Sequence, residues 1–277
     1  MPEGPEVKRM AEDLASVVSE KVLEEISVIS GRYTKKPIEG LTELNQQLPA
    51  KIIGVGCHGK FMYFLTNSGF NAWNTLGMTG RWSSKRSKHS RVCFKLNSGE
   101  RFYFEDIRNF GTLKFVYGKD KLLKKLRSLG PDLLSEDVDE DFFISRMRAK
   151  DKLPITKVLM NQSVFAGIGN YVKAEALWLS EIDPRLNISQ VSDKKLKILC
   201  CAVKNVLRES YNTGGATFRT HKNFSGEPGD YSHRFLCYGR KVDAEGNPVE
   251  KIKTKDGRTT HWSPNKQGEN NGRSTKL

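Results

Sequence analysis

The feature that most limits the fold is a change of period part-way along the 277-residue chain. From residue 22 to about 117 the sequence runs in short β-rich stretches, among them AKIIGVGCHG, KFMYFLTN, SRVCFKLNSG and RFYFED. Gly, Asn and Ser break them at short intervals, the pattern of antiparallel strands joined by tight turns. From residue 152 to 212 the apolar residues return at helical spacing instead. In VSDKKLKILCCAVKNVLRESYN, Leu196, Leu199, Cys200, Val203 and Leu207 share a face, and Ser192 stands where a helix cap belongs. Strands first and helices after specify an α+β protein of two domains, not a series of βαβ units.

The expected organisation follows. EVKRMAEDLASVVSEKVL is an amphipathic helix with Val7, Met10, Leu14, Val17 and Val18 on one side. With the antiparallel β-sandwich behind it, it fills residues 1–130. Residues 131–151 are acidic and connect to the helical domain, expected over 152–233. Residues 234–262 return to β, as a hairpin arm or a long loop. The polar remainder, 263–277, has nothing to bury and is expected to be disordered. No apolar run approaches the ~20 residues of a membrane span. The net charge of +14 suits a polyanion, most simply nucleic acid. The loop SSKRSKHSR, residues 83–91, is either a solvated loop or a phosphate contact. Five cysteines, with no C-x-x-C pair, indicate a reducing compartment. Adjacent Cys200 and Cys201 are expected to be buried thiols on a helix.

Several stretches carry possible chemistry. The chain opens Met1-Pro2-Glu3-Gly4-Pro5-Glu6. An initiator methionine before a small residue is normally trimmed, which leaves Pro2 as a free secondary amine. An α-amine has a pKa of about 7.7–8, against about 10.4 for lysine, so much of it is nucleophilic near neutrality. Such amines attack aldehyde-like carbons to form imines. The same residues also suit an ordinary helix start, where proline and acids are favoured. In VFAGIGNYVKAE the glycines allow a tight turn, and the helix behind it offers free N–H groups to an anion. Asn170 opens that helix and can cap it or donate to a phosphate. Lys60, in CHGKFMYF, begins a strand. Met78 lies in LGMTGRW at a hairpin tip. Arg108 and Phe110, two apart in EDIRNFG, share a face if they are on a strand. A wedge offered from a loop is what fills the gap left by an extruded base.

Taken in order, PEGPEV, HGK, LGMTG, DIRNFG, LMNQSVFAGIGNYVKAE, GGATFR and CYGRK…GRTTHW resemble the formamidopyrimidine-DNA glycosylase and endonuclease VIII family, from residue 2 to about 262. PEGPE is similar to the endonuclease VIII-like branch, while GGATFR…SGEPGDY leans towards the other. The resemblance implies a helix-two-turn-helix DNA-binding domain and a bifunctional DNA glycosylase/AP lyase. It makes Pro2 the nucleophile, Glu3 the general acid, Glu6 a buried glutamate of the site and Lys60 a holder of the phosphate beside the lesion. Asn170 and Arg258 would grip DNA phosphates. Met78, Arg108 and Phe110 would fill the void opposite the orphaned base, and the loop at 220–231 would cover the lesion pocket.

One departure stands out. The family usually ends in a zinc finger with two C-x-x-C pairs, but Ser263 and Lys266 occupy the second pair's places and the first pair is missing. Four zinc ligands cannot be assembled. A zinc-less finger is therefore expected, a hairpin held by strand pairing and by Trp262, with no metal and no cofactor. The expected partner is damaged DNA, duplex or single-stranded, bound by an intracellular monomer. Expected substrates are oxidised pyrimidines, ring-opened purines and hydantoins. Two rival readings are a damage-binding protein of the same fold that does not cut, and a metal-dependent nuclease. The second lacks a convincing cluster of ligands, because the five histidines are scattered.

Overall fold

The computed structural model describes residues 2–216, 224, 226–227 and 229–268. The chain divides into two compact units, residues 1–128 with 211–232, and 129–210 with 233–277. The expected boundaries ran continuously along the chain. The structure instead returns 211–232 to the first unit, because Glu6 and Tyr211 bind that segment to the N-terminal helix.

The first unit begins with α1 (Gly4–Val18). Eight strands follow: β1 (Val22–Val28), β2 (Ala50–His58), β3 (Phe61–Thr66), β4 (Phe70–Thr75), β5 (Gly80–Ser83), β6 (Ser90–Leu96), β7 (Arg101–Asp106) and β8 (Thr112–Tyr117). Their order is β5-β7-β6-β1-β2-β3-β4-β8, with every pairing antiparallel. Only two residue pairs, Val22 with Lys51 and Leu23 with Ala50, join β1 to β2. The sheet therefore folds at that joint into two four-stranded halves. Phe64 of one half lies 5.2 Å from Trp82 and 5.9 Å from Phe94 of the other, ring centroid to ring centroid. This is the expected antiparallel sandwich. Val7, Met10, Leu14 and Val18 of α1 join the same core.

Strand β5 was not expected. It is four residues long, between Gly80 and the basic loop, too short to display a period. Yet it carries Trp82, which is fully buried among Phe64, Phe94, Phe102 and Phe104. The indole N–H donates to Asn74 Oδ1 at 3.0 Å. In the basic loop that follows, Lys85, Arg86 and Lys88 are all exposed.

The second unit holds α4 (Glu140–Arg148), α5 (Ile155–Leu159), α6 (Asn170–Leu179) and most of α7 (Asp193–Asn212). Helices α2 (Leu41–Asn45) and α3 (Lys119–Arg127) belong to the first unit. The turn between α5 and α6 is built around Gln162. Its Nε2 donates to the carbonyls of Met160 and Ile168, and its Oε1 accepts from Gly167 N–H. Gly167 sits at φ +91°, which a side chain would resist. On α7, Cys200 is buried but Cys201 is exposed, contrary to expectation, because adjacent residues on a helix point about 100° apart.

The 234–262 segment resolves into a hairpin, β9 (Glu250–Lys253) paired with β10 (Thr259–Trp262). The residues behind it are not all loose. Pro264–Gln267 forms a last turn, α8, and buried Gln267 donates to Ile182 O at 2.9 Å. An apolar count alone missed this anchor, because it is an amide. The remainder, 269–277, lies outside the described residues.

Trp82→Ala should lower stability by about 3–5 kcal/mol, since it empties the centre of the sandwich and orphans Asn74 Oδ1. Urea unfolding of the purified variant measures the loss.

Candidate functional site

The N-terminus is fixed by a reciprocal cap. Glu3 caps α1, its side chain accepting from the backbone of Glu6 while Glu6 accepts from Glu3 N–H at 2.7 Å. The other oxygen of Glu6 accepts from Ala216 N–H, also at 2.7 Å. Pro2, Glu3 and Glu6 are all buried. Gly215, at φ +88°, passes so close that a Cβ there would lie 2.9 Å from Glu6 Cγ. The opening residues thus start a helix, and residue 2 lies just before its first turn. Met1 lies outside the described residues, as do 217–223, 225 and 228, which include part of the expected covering loop at 220–231.

Lys60 is half-buried in the turn between β2 and β3, after Gly59 at φ +57°. Strand β2 packs beneath α1. The structure therefore sets Lys60 at the end of the strand that supports the N-terminal helix.

Met78, Arg108 and Phe110 come together, but not as the sequence suggested. Met78 lies in the turn from β4 to β5, which belong to different halves, so the turn is not a hairpin tip. Arg108 and Phe110 follow β7 in a loop, with Asn109 between them at φ +56°. The Arg108 guanidinium lies 4.7 Å from the Phe110 ring centre and donates to Met78 Sδ at 3.2 Å. Phe110 is 53 % exposed, the most open ring among the exposed phenylalanines of the described residues.

Asp106, a residue the sequence reading passed over, organises this loop. It is 1 % exposed. Its carboxylate accepts from Thr79 Oγ1, from Arg108 N–H at 3.2 Å and from Gly111 N–H at 2.6 Å. Arg32 closes the other side, donating to the carbonyls of Asn109 and Gly111. The signal was available: an acid two residues before Arg108 in EDIRNFG can accept the turn's backbone N–H groups, as aspartate does in Asx turns.

In the second unit Asn170 opens α6. It caps nothing. Its Nδ2 donates to Thr259 O at 2.9 Å and to Tyr238 Oη at 3.3 Å. Arg258, exposed at the hairpin tip, is the neighbour of Thr259. The structure thus brings together two residues that lie far apart in the chain. Glu175, five residues further along α6, accepts the N–H groups of Leu236, Cys237 and Tyr238 at 2.6–2.9 Å.

Residues 1–113 match the family model of the formamidopyrimidine-DNA glycosylase N-terminal domain, and 129–222 match that of its H2TH domain. A formamidopyrimidine-DNA glycosylase of Halalkalibacterium halodurans is 30 % identical over 95 % of this chain and 98 % of its own. The chain belongs to the formamidopyrimidine-DNA glycosylase family. It is a DNA glycosylase of base excision repair. Among solved structures, the MutM (Fpg) protein of Thermus thermophilus superposes with a TM-score of 0.85 at 28 % identity, covering 97 % of this chain and 99 % of that one. Wild-type Lactococcus lactis Fpg, solved with DNA containing an oxidised pyrimidine, gives a TM-score of 0.85 at 26 % identity over 97 % and 100 %. No helix among the described residues is long and apolar enough to cross a membrane.

The finger zinc that the glycosylase family implies does not fit these residues. Ser263 is fully buried. Lys266 directs its ammonium to Glu245 and Glu181 and over the Trp178 ring at 4.4 Å. A cation already stands where a metal ligand would. Among the described residues no three His, Cys, Asp or Glu side chains form a ligand group. The buried thiol of Cys237 is pushed up to about 12 by its burial, far from a ready thiolate ligand. Elemental analysis of the purified glycosylase should find far less than one zinc per chain, and chelator should leave its activity intact.

His261 of β10 tilts against the Tyr238 ring, centroids 4.7 Å apart. Burial, then Lys251 and Lys173, hold its pKa below the usual histidine value. The unfolded chain therefore takes up this proton first, and stability falls as pH drops through about 6.5. Glu175 works the other way. Burial raises its pKa, opposed by its three backbone N–H donors, so acid favours the fold through that group. The difference between wild type and His261→Gln isolates the histidine: the variant should lose less melting temperature than wild type between about pH 7 and pH 5.

Proposed function

We propose that the glycosylase is bifunctional, releasing the damaged base and then cutting the strand through a Schiff base at Pro2. The observation that carries this reading is the reciprocal Glu3–Glu6 cap, which fixes residue 2 beyond the start of α1. The amine exists once Met1 is removed. Its nitrogen attacks C1′ of the damaged nucleotide and the N-glycosidic bond breaks, so the base departs with the bonding pair. Glu3 protonates the sugar ring oxygen, the ring opens, and an iminium joins Pro2 to C1′. Loss of a C2′ proton then expels the 3′-phosphate, and a second elimination expels the 5′-phosphate. The nucleophile and acid come from adjacent residues of one chain, so neither step calls on a metal or a nucleotide cofactor. Lys60, on the strand end beneath α1, is assigned to the phosphate beside the lesion.

Base extrusion is assigned to Met78, Arg108 and Phe110. A half-open ring stacked under a guanidinium is an apolar, planar wedge of the kind that fills a vacated base position. Arg258 is the phosphate donor of the second unit. Asn170 spends its Nδ2 on the hairpin, while its buried Oδ1 meets no protein donor. A phosphate accepts hydrogen bonds, so Asn170 grips one only by redirecting the Nδ2 hydrogen that it gives to Tyr238 Oη, keeping its bond to Thr259 O. The endonuclease VIII-like branch, supported by the PEGPE start and the missing zinc ligands, favours oxidised pyrimidines, ring-opened purines and hydantoins over intact 8-oxoguanine.

Incubation with abasic-site duplex and borohydride should trap one covalent protein–DNA complex. Pro2→Gly should trap far less, and protein with Met1 retained should bind damaged DNA without cutting it. Full trapping by both forms would move the nucleophile away from Pro2. A panel of single-lesion duplexes tests the substrate order independently.

A further inference from the structure

The β9–β10 hairpin has little apolar content of its own. Glu250, Lys251, Lys253 and Thr259 are exposed, and an isolated two-stranded hairpin is marginal in water. Its tip is nonetheless closely held. Asp256 Oδ1 accepts from Thr254 Oγ1 and from Arg258 N–H at 3.3 Å. Arg258 O accepts from Thr254 N–H at 3.0 Å. Thr254 Oγ1 also lies 2.7 Å from Thr260 Oγ1, and both threonines are buried. The backbone of Arg258 is thus bonded on both sides while its side chain stays exposed.

The tip is tied to α6 by one ion pair. Lys173 Nζ donates to Asp256 Oδ2 at 2.6 Å, and the two side chains are 0 % and 2 % exposed. Lys173 lies three residues after Asn170, so the two share a helix face. Asn170 binds the carbonyl of Thr259 and Lys173 binds the carboxylate of Asp256. The helix therefore holds the hairpin two residues before and one residue after Arg258. A buried ion pair is a poor source of stability compared with apolar packing, so what it supplies here is a fixed geometry.

We propose that the Lys173–Asp256 pair is the positioning device of the finger: it sets the direction of Arg258 towards the DNA phosphate, in place of the metal cross-link that relatives use. This rests on the reading of Arg258 as a phosphate contact. Lys173 and Asp256 touch no substrate and act through Arg258.

The test uses the full-length protein and a duplex carrying one tetrahydrofuran abasic analogue, with affinity read by fluorescence anisotropy across a salt series. Removing both charges together, as Lys173→Met/Asp256→Asn, avoids leaving a lone buried charge, and circular dichroism checks that the variant folds. Arg258→Ala should weaken binding about ten- to hundredfold and lower the slope of log K against log salt by about one. The charge-free pair should lose a similar factor and slope, raise KM for lesion cleavage and leave kcat within about twofold, since it removes ground- and transition-state binding alike. The triple variant should bind no more weakly than Arg258→Ala, because an aligning pair has nothing left to align. Lys173→Arg, which keeps the charge, should restore much of the affinity.

Wild-type affinity in Arg258→Ala would reject the phosphate contact and the proposal with it. A full Arg258→Ala effect with wild-type affinity in the charge-free pair would leave the contact standing and overturn the positioning role. Additive losses in the triple variant, or failure of the charge-free pair to fold, would make the pair merely structural and overturn it equally.

Discussion

The first unit depends on one buried carboxylate. Glu6 accepts N–H groups from Glu3 and from Ala216, at opposite ends of that unit's sequence. A buried carboxylate without donors would cost several kcal/mol, so the two strands of chain must meet there or the helix start cannot be buried. The Gly214–Gly215 pair, both at φ +88°, lets the second strand approach without a side chain. The position of residue 2 is therefore set by a long-range contact, and not by helix propensity. Ala216 is anchored by the same carboxylate that orients the N-terminus, one oxygen to each.

Asp106 repeats the device on a smaller scale. An aromatic ring exposed at a loop tip gains little from the free protein beyond its stacked guanidinium, worth about 0.5–1 kcal/mol at an open site. Left on a floppy loop, it would turn inwards and cover itself. Asp106 holds both flanks of the loop through backbone N–H groups, and Arg32 holds the carbonyls. The ring is kept out by polar bonds beneath it. The proposed insertion between bases would replace one stacking partner by another with little reordering of the loop, which lowers the entropic cost of binding.

The sequence displayed what repeats and what is rare. The switch from strand to helix period marked both halves of the fold, and PEGPE, DIRNFG and GIGN marked the candidate site residues. Short or polar features were hidden. Strand β5 has four residues and no visible period, although Trp82 within it centres the core. Arg108 and Phe110 read as a strand face because nothing local announced that Asn109 would take a left-handed turn. Gln267 anchors α8 through an amide, which hydropathy counts as loop. Asn170 and Thr259 lie 89 positions apart, and no spacing rule links them. What sequence hid was mainly the set of buried polar bonds, because these are specified by partners distant in the chain.

Those bonds also explain how a finger can dispense with metal. A tetrahedral zinc site fixes a loop by bonds whose geometry belongs to the ion. An ion pair fixes it only if both charges are stripped of water and their remaining valences are filled. Here Asp256 meets that condition: burial works against its charge, yet Lys173, Thr254 and the Arg258 N–H together hold its pKa below the usual carboxylate range. Such a carboxylate stays charged wherever the enzyme meets DNA, and its contribution fades only as pH falls below the ordinary aspartate range of about 4. The substitute is therefore as permanent at neutral pH as a bound metal, and it is encoded in two residues instead of four.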